Sequence, residues 1–164
     1  MARKNILYIM CDQLRFDYLG CTGHPTIKTP NIDALAKRGV TFSNTYCQSP
    51  VCGPSRMSAY TGRYVSSHGA TSNFTPLRIG EKNVGHHLNP LGVKTVLVGK
   101  THVVPDREGL ARLGIDPDGD VARHHAQGGF EPYERDDGIH PDSMVKPTMA
   151  YNEYLKSEGY AEDD

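Results

Sequence analysis

Residues 52–63 read CGPSRMSAYTGR and form the most informative stretch of this chain. Pro54 suits the first turn of a helix, because its missing N–H needs no partner there. Cys52 would then lie just before the helix N-terminus, where unpaired N–H groups and the helix dipole favour negative charge. Arg56 would follow one turn later on the same side. The pattern predicts a place where an oxygen-rich anion is held against a nucleophilic cysteine.

Each of these residues also has a purely structural interpretation. A lone cysteine is most often a small buried hydrophobe, and a Pro-x-Arg sequence is often only the start of a helix. A cysteine phosphatase would need an arginine six positions after its cysteine, but Ser58 stands six positions after Cys52 and Gly53 six after Cys47. The spacing therefore excludes that class of enzyme.

Strands and helices are predicted to alternate along the chain. Residues 5–10 are apolar and β-branched, as in a buried parallel strand, and further strands are predicted at residues 40–47 and 94–99. The predicted helices span residues 30–38, 54–61, 81–91 and 149–157. Residues 66–80 and 103–147 show turn residues and little periodicity, which predicts loops. Alternating strands and helices favour a parallel α/β sheet.

The first predicted helix has clear end signals. Thr29 is a suitable N-cap, Pro30 a suitable first residue and Gly39 a suitable stop. Its apolar residues are predicted to share one face of the helix: Ile32, Leu35 and Ala36.

Residues that can do chemistry follow three of the predicted strands. Asp12 comes after the first strand, Cys52 after the second, and Lys100 and His102 after the third. Ligands of parallel α/β sheets gather at the carboxyl ends of the strands. The order of residues therefore predicts one site that combines a carboxylate, a nucleophile and two cationic or proton-carrying groups. Alternatively, Asp12 caps a turn, Lys100 is a solvated charge and His102 is a loop histidine.

Charge, apolar runs and cysteine spacing make several classes of protein and site less suitable for this chain. The net charge of −1 gives no indication of nucleic acid as a partner, and no apolar run approaches the ~20 residues needed to cross a membrane. The run at residues 6–10 is also too short for a signal peptide, which predicts a cytoplasmic protein. The four cysteines contain no C-x-x-C pair, and the adjacent histidines at 86–87 and 124–125 lack the spacing of metal ligands on a helix.

The stretch at residues 52–63 resembles the C-x-P-x-R…T-G-R signature of type I sulfatases and phosphonate monoester hydrolases, two groups of the alkaline phosphatase superfamily. Other landmarks of these enzymes recur in order: NILYIMCDQ at residues 5–13, TPNIDALA at 29–36 and GKTH at 99–102. The resemblance implies an alkaline phosphatase-like sandwich with a largely parallel central sheet flanked by helices. Members are considerably longer than this chain, so residues 1–164 are predicted to be the N-terminal portion of one such domain.

The resemblance also implies a mechanism. In these enzymes the signature cysteine is oxidised to formylglycine, whose hydrated form binds a divalent cation and attacks the sulfur or phosphorus atom of the ester. Carried over to this chain, Cys52, Asp12 and Gln13 would hold the metal, which is Ca²⁺ or alternatively Mg²⁺ or Mn²⁺. Arg56 joins Cys52 in the catalytic set, and Lys100 and His102 would neutralise charge on the transferred group.

Two features of the sequence bear on the substrate. Gln13 departs from the Asp-Asp pair of many sulfatases and is typical of phosphonate monoester hydrolases and of some sulfatases, whereas Lys100 within GKTH is typical of sulfatases. The first hypothesis is therefore hydrolysis of sulfate esters, and the second is hydrolysis of phosphonate monoesters or phosphodiesters. The resemblance also places Arg63 and Asn73 near the site, although Arg63 has an alternative role as the partner of a carboxylate.

A third hypothesis comes from a different class. The chain would then be a non-catalytic α/β module that binds oxyanions, with Cys52 retained as a thiol. The partners expected for the enzyme are a small sulfate or phosphonate ester and a formylglycine-generating enzyme, without nucleic acid or membrane; a homo-oligomer stays open.

Overall fold

In the computed structural model of the protein, residues 5–135 and 150–160 are described. The chain divides into two compact units, Met1–Tyr46 and Cys47–Asp164. The helices are α1 Pro30–Arg38, α2 Cys52–Thr61, α3 Val65–His68, α4 Val84–Leu88, α5 Arg107–Arg112, α6 Asp120–Ala126 and α7 Ala150–Ser157, and the strands are β1 Val96–Gly99 and β2 Glu131–Arg135.

In the first unit, α1 begins and ends where the sequence predicts, from Pro30 to the residue before Gly39. Thr29 does not act as a side-chain N-cap, however. Its hydroxyl accepts a hydrogen bond from the Gly20 N–H at 2.8 Å and donates to the Asp33 carboxylate at 2.8 Å. Asp33 also accepts from the Cys21 N–H at 2.8 Å. Thr29 and Asp33 therefore bind α1 to the turn at residues 20–22. Their role in this chain is a tertiary contact rather than the start of the helix.

The predicted strands at residues 5–10 and 40–47 are not formed. No described residue pairs with either segment, and an extended chain without a ladder of hydrogen bonds is not a strand. Their apolar side chains are exposed, Ile6 to 91%. The apolar face predicted for α1 is also largely uncovered, since Ile32 and Leu35 are exposed.

The second unit contains a parallel pair of strands, β1 and β2. Strand β1 confirms the prediction of a strand within residues 94–99. Leu97 faces Pro132 and Val98 faces Glu134, so β2 carries one additional residue at this point. Pro132 has no N–H to donate to the ladder, which accounts for the irregularity there.

The core of the second unit lies beneath α2. It consists of buried residues from four separate segments, namely Met57, Tyr60, Ala70, Leu77 and Val103. Phe130 packs against this cluster, with its ring edge-to-face on the Tyr60 ring at a centroid distance of 5.4 Å. Helix α2 is therefore anchored by its apolar side, and the element that carries Cys52 is among the best-packed parts of the unit.

The prediction of an irregular region at residues 103–147 is wrong for its described part. That part contains α5, α6 and β2. Asp106 begins α5 as an N-cap that accepts from the Gly109 N–H at 2.8 Å, a short-range signal that a search for apolar periodicity overlooks. Residues 136–149, including Asp136, Asp137, His140 and the predicted helix start at Pro147, lie outside the described residues.

The remaining helices are shorter than predicted or close to prediction. The helix expected at residues 81–91 is confined to α4 and is followed by a 3₁₀ turn, Asn89–Leu91, that contains Pro90. Asn83 caps α4 by accepting from the Gly85 and His86 N–H groups. Residues 65–68, expected within a loop or at its edge, form α3, whereas α7 matches the last predicted helix. Within residues 5–135 and 150–160, no helix combines the length and apolar character that a bilayer crossing needs.

Candidate active site

The site begins at the N-terminus of α2. Cys52 is the first residue of the helix rather than the residue before it, and Val51 precedes it in an extended conformation. The N–H of Gly53 donates to the Asn73 side-chain oxygen at 2.8 Å. Pro54 has no N–H, so it leaves one donor fewer to satisfy in this turn. The turn that holds Cys52 is thus capped from a distant loop, and it keeps the positive end of the helix dipole.

Gly53 packs closely against the loop that carries Asn73. A Cβ atom at Gly53 would lie 3.1 Å from the Asn73 side-chain oxygen and 3.2 Å from the Asn73 Cα. A larger residue would require Asn73 to shift by a few tenths of an ångström. The x position of the C-x-P-x-R signature is therefore restricted in this chain by close packing of backbone against backbone.

Arg56 joins α2 to the segment that follows β1. It is 6% exposed, and its Nη1 donates to the Lys100 carbonyl oxygen at 2.7 Å. The Tyr60 hydroxyl donates to the same oxygen at 3.3 Å. The prediction that Arg56 lies one turn from Cys52 is consistent with α2, and the structure adds that its guanidinium holds the backbone of Lys100 beside this helix.

Lys100, Thr101 and His102 follow β1 directly, as the sequence predicts. Thr101 is fully buried and His102 nearly so, whereas Lys100 is half-buried. His102 adopts a φ of +54°, in the left-handed region that side chains rarely enter. The backbone after β1 is therefore held in a costly conformation, which is a recurrent property of functional loops.

The first unit contains the other predicted site residues, Asp12 and Gln13, both exposed. Gln13 has a φ of +50°; among the described residues other than glycine, it and His102 alone have positive φ. The two strained positions were both predicted as site residues from the sequence. Strain of this kind costs on the order of 1–3 kcal/mol and persists only where the surroundings impose it.

Asp12 and Gln13 fit a hard cation in the kind of atom they offer. A carboxylate oxygen and an amide oxygen are ligands that Ca²⁺ and Mg²⁺ prefer. Across residues 5–135 and 150–160, no cluster of three or more histidine, cysteine or acidic side chains is placed to hold a metal ion. Asp12 and Gln13 thus offer donors of the type that a hard cation prefers.

Arg63, which the sequence left with two interpretations, forms an ion pair. Its Nη1 lies 2.6 Å from a carboxylate oxygen of Glu81. The structure therefore supports the interpretation of Arg63 as the partner of a carboxylate. The two charges act in opposite directions on the pKa of the buried His68, which Glu81 raises and Arg63 lowers.

Three histidines of the adjacent pairs, His86, His124 and His125, line a cavity of about 440 Å³ between α4 and α6. The rings of His86 and His124 meet edge-to-face with centroids 5.1 Å apart. Burial lowers the pKa of His86, and His124 lowers it further through charge repulsion. An edge-to-face pair directs ring against ring, so this geometry favours neutral packing over metal binding.

Sequence reasoning missed the polar contacts beneath α2. Ser58 and His68 lie 2.9 Å apart in the interior, and Tyr60 shares the Lys100 carbonyl with Arg56. Neither pair is signalled by periodicity. The only sequence signal is that Ser58 and Tyr60 fall within two turns of Arg56 on the same helix.

The chain is similar in sequence to several known proteins. The sequence profile of the sulfatase family matches residues 4–131. An ulvan-active sulfatase of Formosa agariphila is 42% identical over 101 residues, which are 62% of this chain and 20% of that protein. The multifunctional alkaline phosphatase superfamily protein PehA of Trinickia caryophylli is 40% identical over 65% of this chain and 22% of its own length. This chain thus spans about a fifth of the length of these curated relatives.

A solved structure shows the same fold. The phosphonate monoester hydrolase SpPMH of Silicibacter pomeroyi matches 99% of this chain and 30% of its own chain, with a TM-score of 0.74 and 28% identity. This likeness confirms the predicted α/β class of the alkaline phosphatase type. The parallel pairing of β1 and β2 is consistent with this class.

Proposed function

This chain belongs to the sulfatase family, and from that premise we propose that the protein carrying it hydrolyses sulfate esters with a formylglycine derived from Cys52. The observation that supports the proposal best is the clamp at α2. Cys52 begins the helix, Arg56 lies one turn later, and Arg56 binds the Lys100 carbonyl at 2.7 Å. The clamp keeps the nucleophile-bearing helix end beside the backbone that carries Lys100 and His102.

Three parts of the site would contribute separately to the hydrolysis of a sulfate ester. The N-terminus of α2 presents the positive end of the helix dipole to an anionic sulfate group. The Lys100 ammonium adds a full positive charge that offsets the negative charge gathering on the transferred group. His102 is the group of the described site suited to hold or donate a proton at the oxygen of the leaving alcohol.

Asp12 and Gln13 are the residues that would hold a divalent cation, with Ca²⁺ the first choice and Mg²⁺ or Mn²⁺ as alternatives. When bound, such a cation would supply Lewis acidity for ester hydrolysis. The pair carries a single negative charge, because Gln13 contributes an amide.

Hydrolysis of phosphonate monoesters is the second candidate. It is favoured by Gln13 and by the fold match to a phosphonate monoester hydrolase. Lys100 in the GKTH segment favours the sulfate ester instead. The third candidate, an oxyanion-binding module that retains Cys52 as a thiol, differs from both in the chemical state of that residue.

The state of Cys52 can be tested on the chain itself. We would coexpress it with a formylglycine-generating enzyme and measure the mass of the peptide that contains residue 52. The proposal predicts the exchange of sulfur for oxygen with the loss of two hydrogens, and capture of the product by a hydrazide probe. Cys52→Ser in the same host is the matched control. A peptide that retains its thiol under these conditions would favour the binding module.

Substrate class is tested in the protein that carries this chain. We expect faster hydrolysis of an aryl sulfate than of a phenyl phosphonate ester, and loss of both activities in Cys52→Ala. More than about a hundredth of the wild-type rate in that variant would contradict covalent catalysis by this residue, since its loss should cost several kcal/mol. A faster phosphonate reaction would establish the second candidate.

The metal assignment has a separate test. Asp12→Asn removes the full negative charge of the pair and should weaken Ca²⁺ binding in calorimetry while leaving the thermal unfolding midpoint nearly unchanged. The matched control is Asp17→Asn, an exposed aspartate of the same unit that pairs with Arg15. Equal Ca²⁺ affinity in wild type and Asp12→Asn would remove Asp12 from the metal site.

A further inference from the structure

A buried chain of hydrogen bonds lies behind the helix end that carries Cys52. The Ser58 hydroxyl donates to the Pro54 carbonyl oxygen at 2.8 Å and lies 2.9 Å from Nε2 of His68. On the other side of the ring, Nδ1 of His68 accepts from the Ala70 N–H at 3.1 Å. His68 is fully buried and Ser58 nearly so. Every polar atom of the imidazole therefore has a partner inside the protein.

The partners determine the tautomer of His68. Nδ1 faces an N–H donor, so it carries no proton and Nε2 must carry the hydrogen of the neutral ring. The Ser58 hydrogen is already used on Pro54, so the Ser58 oxygen is an acceptor towards His68. Two independent contacts thus give the same answer, a neutral imidazole that donates from Nε2 to Ser58.

This direction of hydrogen bonding excludes a hydrolytic serine–histidine pair. A general base would need an unprotonated nitrogen facing the serine hydroxyl, and both groups would need access to substrate. Here the nitrogen facing Ser58 is a donor, and Ser58 and His68 are shielded from solvent. The pair must therefore act on the structure around it.

The chain of bonds closes on the start of α2. Ala70 lies three residues before Asn73, whose side chain accepts from the Gly53 N–H at 2.8 Å. His68 therefore holds the first turn of α2 from two sides, through Ser58 at the Pro54 carbonyl and through Ala70 and the following loop at the Gly53 N–H. Both routes end in the first turn of α2, next to Cys52.

We propose that His68 is a positioning residue. As a neutral imidazole with its hydrogen on Nε2, it fixes the position of the first turn of α2 through Ser58. Through the loop at residues 70–73, it also fixes the Asn73 side chain that caps this turn beside Cys52. The positioning itself stands on the contacts above. Only its value for turnover rests on the proposed function, because only there does the placement of residue 52 matter to catalysis.

The proposal predicts a dependence on pH with a defined sign. Protonation would place a hydrogen on Nδ1 against the Ala70 N–H and break that bond. Burial lowers the pKa of His68; Glu81 raises it and Arg63 lowers it, and those two residues form an ion pair with each other. The opposing charges leave burial as the deciding effect. The cap should therefore hold at neutral pH and open only in acid, below the usual titration range of histidine.

Two substitutions separate the two hydrogen bonds of His68. In His68→Asn, the amide oxygen can replace Nδ1 as the acceptor for Ala70, but nothing reaches Ser58. In His68→Gln, the amide nitrogen can replace Nε2 as the donor to Ser58, but Ala70 loses its acceptor. The amides of Gly53 and Ala70 report on the cap. The amide of Gly62 donates to the Ser58 carbonyl at the other end of α2 and serves as the control.

The experiment is residue-resolved hydrogen exchange by NMR on the full chain. In His68→Gln we expect exchange of Ala70 and Gly53 to accelerate about tenfold relative to Gly62, because a buried N–H loses its acceptor. In His68→Asn we expect both rates to stay within about threefold of wild type. In acid, wild type should lose protection at Ala70 and Gly53 before Gly62, and His68→Asn should lack this step. The ¹⁵N shifts of His68 should show a protonated Nε2 and a bare Nδ1.

Several results would overturn the proposal. They are the opposite tautomer, equal acceleration of all three amides in His68→Gln, no acceleration in that variant, or equal damage in both variants. These measurements need no turnover. If the exchange rates behave as expected but Cys52 is never converted, the positioning stands and the proposed function fails.

Discussion

Asn73 offers a test in which fold stability and function should move in opposite directions. Its side-chain oxygen accepts a hydrogen bond from the Gly53 N–H at 2.8 Å. Asn73→Ala removes the bond and should lower the free energy of unfolding by about 1 kcal/mol. Asn73→Asp keeps an acceptor of the same shape and adds a negative charge at a helix N-terminus, which contributes roughly 0.3–1 kcal/mol of stability.

The same negative charge should impair an enzyme that acts on an anion. A unit charge ~5 Å from a bound sulfate group, about one helical turn, costs roughly 3 kcal/mol at an effective dielectric constant of about 20. That is about a hundredfold in kcat/KM. We would measure urea unfolding of the chain and aryl sulfate hydrolysis by the protein that carries it, with Asn31→Asp near the start of α1 as the matched control.

Asn73→Asp should thus be at least as stable as wild type and about a hundred times less active, whereas Asn73→Ala should be less stable. Wild-type kcat/KM in Asn73→Asp, with the helix end still capped, would refute the placement of the anion at the N-terminus of α2. A stable but inactive Asn31→Asp would show instead that the added charge acts nonspecifically.

Two further predictions concern the frame around the site. Asp106→Ala should cost about 2 kcal/mol at neutral pH, because the carboxylate accepts from the Gly109 N–H at 2.8 Å and the Ile79 N–H at 3.2 Å. The Gly109 hydrogen bond in particular lowers the pKa of Asp106, so this stability is present above the usual aspartate pKa and disappears as the pH falls through the lowered value. In urea unfolding at several pH values, the difference in free energy of unfolding between wild type and Asp106→Ala should therefore narrow in acid. A difference that stays constant with pH would contradict this prediction. Arg56→Met should lower the thermal midpoint more than Tyr60→Phe, since a charged donor at 2.7 Å from the Lys100 carbonyl is worth more than a hydroxyl at 3.3 Å; the reverse order would show that Tyr60 is the main support of that carbonyl.

The local signals in the sequence predicted elements whose causes are local. Helix α1 runs from Pro30 to the residue before Gly39, and α2 ends at Gly62, which has a φ of +67° and whose N–H binds the Ser58 carbonyl. Glycine adopts the left-handed conformation at the end of α2 without strain. Lys100 and His102 follow β1 as predicted for the same reason, because a short apolar run followed by Gly99 marks the end of a strand.

Predictions that needed a partner in space were less successful. The apolar runs at residues 5–10 and 40–47 have strand composition, but a strand exists only where another segment completes its hydrogen bonds, and no described residue does so. In the region thought to be irregular, α5 depends on Asp106, whose side chain also binds Ile79, far away in sequence. Periodicity contains no information about such contacts.

The sequence by itself determined the family, the nucleophile candidate Cys52 and the residue types around it, because the C-x-P-x-R spacing sets which groups share one turn of a helix. Only the tertiary structure decided that Asn73 caps that turn, that Arg56 binds the Lys100 backbone, and that His68 is neutral with its hydrogen on Nε2. Each of these depends on which donor meets which acceptor in a water-free interior. In that interior, the free-energy cost of an unpaired polar group exceeds what local conformational preference contributes. The fold rather than the sequence motif therefore determines which donor binds which acceptor.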